Sequence, residues 1–430
     1  MNHSGSPLAM NNDSAATLPS PPSLDTADGY AARNASYWKR NLIISVFGSF
    51  TTLISLSMLL PFLPLYVEQL GVKSSADIVQ WSGLAFGVTF LGTGLTAPIW
   101  GRMADRFGRK PMLIRAAVGM AIVMSMIGLA HNVYELVALR LVAGLVGGYA
   151  SAAMVMIGTQ APKERAGWAL GVLSTGVLAG NLIGPLVGGL LPNLIGIRGA
   201  FFAAGGIISA AALLTIVFIK EDFSRAVKRP STSAQTTGAI RKINRMAIAA
   251  LLVTAMMVLL ANMSIEPIIT VYIAQLDVPH ERLATVAGIV MACSAFGSML
   301  TAPKLGALAD RVGAWNVIIG CLIATAIVMI PQAFVQNWWT LAILRGLMGM
   351  TLAGLLPSIA KLVRHSVEEN QSGKMLGYLQ SAQFAGQVIG PLIGGQIGVH
   401  VGMRSVFFVT SALLLACAAL DRWIMAQAQA

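Results

Sequence analysis

From residue 42 onward the chain is a succession of long apolar runs separated by short polar punctuation. A helix needs about 20 apolar residues to cross the hydrocarbon core of a bilayer. The runs predict twelve such helices, at 42–69, 81–104, 111–130, 133–159, 167–190, 200–220, 246–276, 285–307, 315–334, 338–362, 373–399 and 405–423. Charged residues make up 11% of the 430 and hydrophobic ones 56%, with a mean hydropathy of +0.73. A soluble domain carries roughly 25% charged residues. The expected fold is an all-α integral membrane protein. Residues 1–37, rich in Ser, Pro, Ala and Asn, lack the apolar core and early basic cluster of a signal peptide and read as a disordered tail that stays attached.

Charge adds a direction to this pattern. A net charge of +12 would suggest nucleic acid in a soluble protein, but here it follows the membrane. With the N-terminus cytoplasmic, 23 of the 29 Lys and Arg fall in the tail, the even-to-odd loops and the C-terminus. Lys73, Arg198, Arg282 and Arg404 fall in the opposite loops, and Arg140 and Arg345 lie within spans. Positive charge gathers on the cytoplasmic side of membrane proteins, so both termini are expected there and no nucleic-acid partner is implied. The longest internal connection, 221–245, carries six Lys and Arg around a Ser/Thr-rich middle. It reads as a cytoplasmic linker between six-helix bundles at 38–220 and 246–430. Cys293, Cys321 and Cys417 lie in apolar runs and suggest packing, with no disulfide framework, metal site or cofactor.

The two bundles are written in one pattern. A shift of 205 lays Thr96-Ala97-Pro98 on Thr301-Ala302-Pro303, Ala104-Asp105-Arg106 on Ala309-Asp310-Arg311, Gly108 on Gly313, Arg140 on Arg345 and Gly144 on Gly349. A shift of 206 lays Gly184-Pro185 on Gly390-Pro391, Phe201 on Phe407, Arg198 on Arg404, Pro61 on Pro267 and Tyr66 on Tyr272. Six spans per half make this a parallel repeat, with an axis along the membrane normal. Two such bundles enclose a central site near the midplane, which rocking exposes to alternate sides.

Between spans 2 and 3 stands GRMADRFGRKP, residues 101–111. Gly101 and Gly108 suit a tight loop, and Arg106, Arg109, Lys110 and Arg115 read as anchors facing the cytoplasmic surface. Asp105, a carboxylate among cations, is expected to accept hydrogen bonds from an Arg or from a helix N-terminus. The stretch resembles the loop signature G-x-L-A-D-R-x-G-R-K of the major facilitator superfamily, with Met103 in place of Leu. The resemblance implies that Asp105, supported by Gly101, Arg106, Gly108 and Arg109, latches the cytoplasmic side of the bundles in the outward-facing state. The second copy keeps Asp310 but has Ala314 and Trp315 in place of the basic pair, which implies an asymmetric latch.

Span 5 carries GVLAGNLIGPLVGG, with Gly at 176, 180, 184 and 188 forming a smooth stripe for close helix packing and Pro185 inviting a kink. It resembles the motif of the drug:proton antiporters of that superfamily at Gly180, Gly184, Pro185, Gly188 and Gly189, which implies export. Arg140 in LRLVAG of span 4 would cost about 2.5–3.5 kcal/mol in hydrocarbon unless it snorkels or faces protein or water. It either pairs with Glu135 or, as the resemblance to the superfamily's span-4 motif implies, takes part in proton coupling, although Ala143 stands where that motif has Gln. With PFLPLYVEQLG, WSG and WALGVLSTG, the chain from Tyr37 onward resembles the MdtG-type multidrug exporters of bacteria.

An antiporter needs an acid that both proton and substrate sense. Glu266, in ANMSIEPIITVY of span 7, is the only carboxylate well inside an apolar run and is the main coupling candidate, beside Arg140 and Glu135; alternatively it caps a helix broken at Pro267. Asn181, Asn262, Gln383 and Gln387 mark the substrate cavity or hydrogen-bond between helices, because polar groups avoid lipid. The expected function is proton-coupled export of amphipathic small molecules by a monomer in the bacterial inner membrane. Export of sugars, metabolites or siderophores, or uncoupled facilitation, keeps the same fold. No in-span nucleophile with a base and no His-Glu-x-x-His pattern points to an enzyme.

Overall fold

The structure, a computed structural model, describes residues 27–162, 164–221, 245–367 and 369–429. Its helices are α1 (Ala27–Ser57), α2 (Leu63–Gln69), α3 (Ser75–Phe107), α4 (Arg109–Ile127), α5 (Val133–Val146), α6 (Tyr149–Gln160), α7 (Ala166–Phe218), α8 (Arg245–Ile265), α9 (Ile269–Ala274), α10 (Leu283–Val312), α11 (Ala314–Gln332), α12 (Trp338–Leu352), α13 (Leu355–His365), α14 (Glu369–His400) and α15 (Met403–Gln429). The first helix begins inside the segment expected to be a tail. Residues 222–244 of the expected linker lie outside the described residues.

Ten described stretches are long and apolar enough to cross a membrane. The difference from twelve has two local causes. Spans 5 and 6 form the single 53-residue run α7, which doubles back at Gly196, whose φ of 76° only glycine adopts without strain. Leu173 and Ala212, on its two arms, meet in one cluster with Leu42. Span 11 is α14, which carries charged and amide side chains along its first half. Four spans are broken, and the breaks pair through the repeat. Spans 1 and 7 break between α1 and α2 and between α8 and α9, where Pro61 and Pro267 remove a backbone donor. Spans 4 and 10 break between α5 and α6 and between α12 and α13, at Gly147-Gly148 and Ala353-Gly354.

The contacts repeat as the letters do. Tyr66 donates to the Ile127 carbonyl at 2.5 Å and Tyr272 to the Gln332 carbonyl at 2.8 Å. Each ring packs on its own phenylalanine, Phe201 at 5.0 Å and Phe407 at 5.2 Å between ring centres. Asn132 caps α5 by accepting from the Glu135 amide, and Asn337 caps α12 by accepting from the Thr340 amide. Gly108 and Gly313, at φ 94° and 92°, each turn the chain in one residue between two helices.

Backbones approach closely along small-residue stripes. A Cβ at Gly188 would lie 1.8 Å from the Met58 carbonyl oxygen, and one at its counterpart Gly394 would lie 2.0 Å from that of Ser264. The same closeness joins the two bundles. A Cβ at Gly288 would stand 2.3 Å from the Pro185 carbonyl oxygen, and one at Gly83 would stand 2.6 Å from that of Pro391. Thr285 donates to the Gly189 carbonyl at 2.7 Å and Thr270 to the Pro61 carbonyl at 3.0 Å. Toward the other end of the same four helices the approach is lost, and a Cβ at Gly101, Gly171, Gly306 or Gly377 would meet nothing within 4 Å. The bundles therefore close against each other near residues 185–189 and 284–288 and part toward the Gly108 and Gly313 turns.

Overpacking a tight contact costs about 1–3 kcal/mol or more. Gly188→Ala is expected to lower the thermal midpoint of the purified protein by several degrees, whereas Gly171→Ala is expected to leave it unchanged.

Candidate functional site

The break in span 7 sets a carboxylate free of its helix. Glu266 follows the last residue of α8 and points to α12, where Arg345 Nη2 lies 2.8 Å from its Oε1. Arg345 is fully buried and Glu266 is 8% exposed. Arg345 Nη1 also reaches the Met348 sulfur, which receives Gln332 Nε2 in turn, both at 3.8 Å. The pair joins spans 7 and 10 inside the C-terminal bundle. Sequence reading singled out Glu266 without finding its partner, because the two residues stand 79 apart and no periodicity links them. The expected helix break at Pro267 is present, and the carboxylate beside it is held by a cation.

The N-terminal bundle has the cation without the acid. Position 60, equivalent to Glu266, is Leu60. Arg140 is fully buried, donates through Nε to the Ala85 carbonyl at 3.3 Å and lies 5.9 Å from the centre of the Phe86 ring. Its Nη1 and Nη2 are buried without a hydrogen-bond partner. Glu135 does not reach it. That carboxylate accepts from the His131 amide and from Asn132 Nδ2 at 2.9 and 2.7 Å, while its own amide donates to Asn132, a reciprocal cap at the start of α5. The expected Glu135–Arg140 pair is therefore absent, because the cap uses the carboxylate one turn too early.

The basic cluster is mostly helical. Gly101 to Phe107 form the last turns of α3, so Gly101 is a helix position facing open space and the turn consists of Gly108 alone. Asp105 is paired with Arg109 at 3.5 Å, and its side chain is 77% exposed. Such a pair contributes little. The N-terminus of α4 is held by another acid, Glu221, which accepts from the Arg109 amide at 2.8 Å and from the Lys110 amide at 2.6 Å. Asp310 is paired with Lys361 of its own bundle. Arg106 stacks over Phe107, and Arg115 lies 3.6 Å over the Trp100 ring and donates to the Gly147 carbonyl at 2.9 Å, so it packs where span 4 breaks. Glu221 and Lys361 were invisible as partners because each is an ordinary polar residue far along the chain from the group it meets.

Three of the four cavity candidates occupy corresponding arcs of α7 and α14. On α14, Gly386, Gly390 and Gly394 face α8, while Phe384, Val388 and Pro391 face α3 of the opposite bundle. At about 100° per residue, Gln383 and Gln387 occupy the arc between these faces, toward the space separating the bundles. Neither makes a hydrogen bond to a described residue. On α7, Gly180, Gly184 and Gly188 face α1 and Pro185 and Gly189 face α10, which leaves exposed Asn181 in the equivalent arc. Asn181 and Gln387 are counterparts under the shift of 206. Asn262, one turn before Glu266, has a buried Oδ1 with no partner.

Removing one partner of a buried ion pair costs about 3–5 kcal/mol, while replacing both by apolar groups of similar volume is often neutral. Arg345→Met is expected to lower the thermal midpoint markedly, and Glu266→Leu combined with Arg345→Met is expected to recover most of the loss.

These features have known parallels. The sequence pattern of the Major Facilitator Superfamily matches residues 45–286 and 281–428. The chain is 40% identical to the multidrug resistance protein MdtG of Serratia proteamaculans over 388 residues, 90% of this chain and 94% of the relative. It is 41% identical to MdtG of Salmonella typhimurium over 378 residues, 88% and 93% of the two chains. Its fold matches a bacterial homologue of the human lysosomal transporter Spinster, with a TM-score of 0.71 at 16% identity over 90% of this chain and 96% of that one. It also matches the nucleoside transporter NupG, with a TM-score of 0.69 at 12% identity over 88% and 99%. Two six-helix bundles built on one repeat, closed on each other through paired glycine contacts, accord with these matches: the chain belongs to the major facilitator superfamily.

Proposed function

We propose that this protein exports amphipathic small molecules across a bacterial inner membrane, as a monomer with both termini cytoplasmic, in exchange for protons. The substrate class rests on the 40% identity to proteins named for multidrug resistance, spread over most of the chain. The orientation rests on the distribution of Lys and Arg. Under it, the open end of the bundles faces the cytoplasm, and an Asp105 that is mostly exposed and paired only with Arg109 of its own bundle fits that state, since a latch closing this end has nothing to hold across the gap while the end is open.

The observation that carries the coupling is the buried Glu266–Arg345 pair at the break of span 7. A proton taken up by Glu266 removes the charge that holds Arg345, and the freed guanidinium must find another acceptor. Spans 7 and 10 thus have two arrangements, one for each protonation state of one carboxyl. Asn181, Gln383 and Gln387 line the path between the bundles, where unpaired amides give an amphipathic substrate hydrogen bonds and leave the rest of its binding to apolar contact. Arg140 is available to an acceptor in a state other than this one.

The test is the internal pH of inverted, respiration-energised vesicles containing the protein, followed on adding lipophilic cations and neutral drugs. Substrates are expected to collapse the gradient with wild type and not with Glu266→Gln, and Asp105→Asn is expected to reduce turnover. Accumulation of labelled drug without proton movement in wild type would overturn the coupling and leave the export.

A further inference from the structure

The C-terminal bundle buries a second acid that the exchange cycle above does not use. Asp421 on α15 has no exposed surface. Its Oδ1 and Oδ2 each lie 3.0 Å from the hydroxyl of Thr254 on α8, and Cys417 Sγ, one turn earlier on α15, lies 3.8 Å from the same hydroxyl. Among the described residues Asp421 has no ion-pair partner and no other hydrogen bond. α15 packs on α8, α11 and α14. From α8 only Thr254 reaches the carboxyl. α11 contains no acidic or basic residue and only Cys321 that titrates. Glu369, Lys374 and His400 stand near the two ends of α14. Arg422, the next residue in the chain, is exposed.

The other half of the repeat has no acid at the equivalent place. Thr215 is the counterpart of Asp421 and Gly48 of Thr254. There the Thr215 hydroxyl meets the Tyr149 hydroxyl at 2.8 Å, and the Tyr149 ring fills the space beside Gly48. Under the shift of 205 that lays Arg140 on Arg345, Tyr149 falls on Gly354. There a neutral hydroxyl stands in the place of Asp421 and is satisfied by a second hydroxyl from span 4, so the repeat as such does not call for a carboxyl at this position.

An ionised carboxylate in this place would have one hydroxyl proton to share between two oxygens and no cation. Burying an unpaired charge costs far more than a neutral hydrogen-bonded group. A neutral carboxyl satisfies the geometry, with its O–H or its C=O engaged by the Thr254 hydroxyl. We propose that Asp421 is a proton-binding site, occupied in this conformation, and that the proton leaves only when α15 parts from α8 or water reaches the carboxyl. The C-terminal bundle then holds two buried acids neutralised differently, Glu266 by an arginine and Asp421 by a proton. This inference does not depend on coupled export.

The test is the infrared spectrum of the protein in lipid nanodiscs at neutral pH, wild type against Asp421→Asn. A protonated-carboxyl stretch present in wild type, shifted by deuterium exchange and lost in Asp421→Asn, is the expected result. Thr254→Val is expected to keep that band and move it to higher frequency, and it carries the test if Asp421→Asn does not fold. Glu266→Gln is expected to leave the band unchanged, which separates this site from the Arg345 pair. A wild-type spectrum lacking the band, or a band that survives in Asp421→Asn, would overturn the proposal.

Discussion

The structure depends on backbones meeting with no side chain between them. Lipid is as apolar as leucine, so helices in a membrane gain little by hiding apolar surface from it, and close packing supplies the attraction instead. At Gly188, Gly394, Gly288 and Gly83 a facing carbonyl occupies the place a Cβ would take. These contacts hold span 5 to span 1 and span 11 to span 7. They also hold the two bundles together at one end only. Because the contact is between rigid surfaces and stops partway along four helices, the bundles can rock about it without either being rebuilt.

Within that frame each buried ionisable group is handled separately. Arg345 has Glu266, Asp421 has Thr254, and Arg140 has one carbonyl and the edge of a ring field. The halves descend from one pattern but differ at these places: Leu60 opposite Glu266, Thr215 opposite Asp421, Tyr149 opposite Gly354. Symmetry explains the scaffold, and these departures from symmetry fall where polar and ionisable side chains are buried.

The amino-acid sequence by itself determined the membrane class, the spans and the repeat, because hydrophobic length and one register over 205–206 residues are properties of the chain read in order. It also located Glu266, Arg140, Asp105 and the glycine stripe, since each breaks or repeats a local pattern. Tertiary structure alone decided what each of them touches. Arg345 reaches Glu266 across 79 residues, Asp105 meets Arg109 while Glu221 takes the α4 N-terminus, and Glu135 is used by its own cap. The reason is physical: a charge in an apolar interior is governed by the nearest group able to neutralise it, and nearness between helices is set by packing, which local periodicity does not encode.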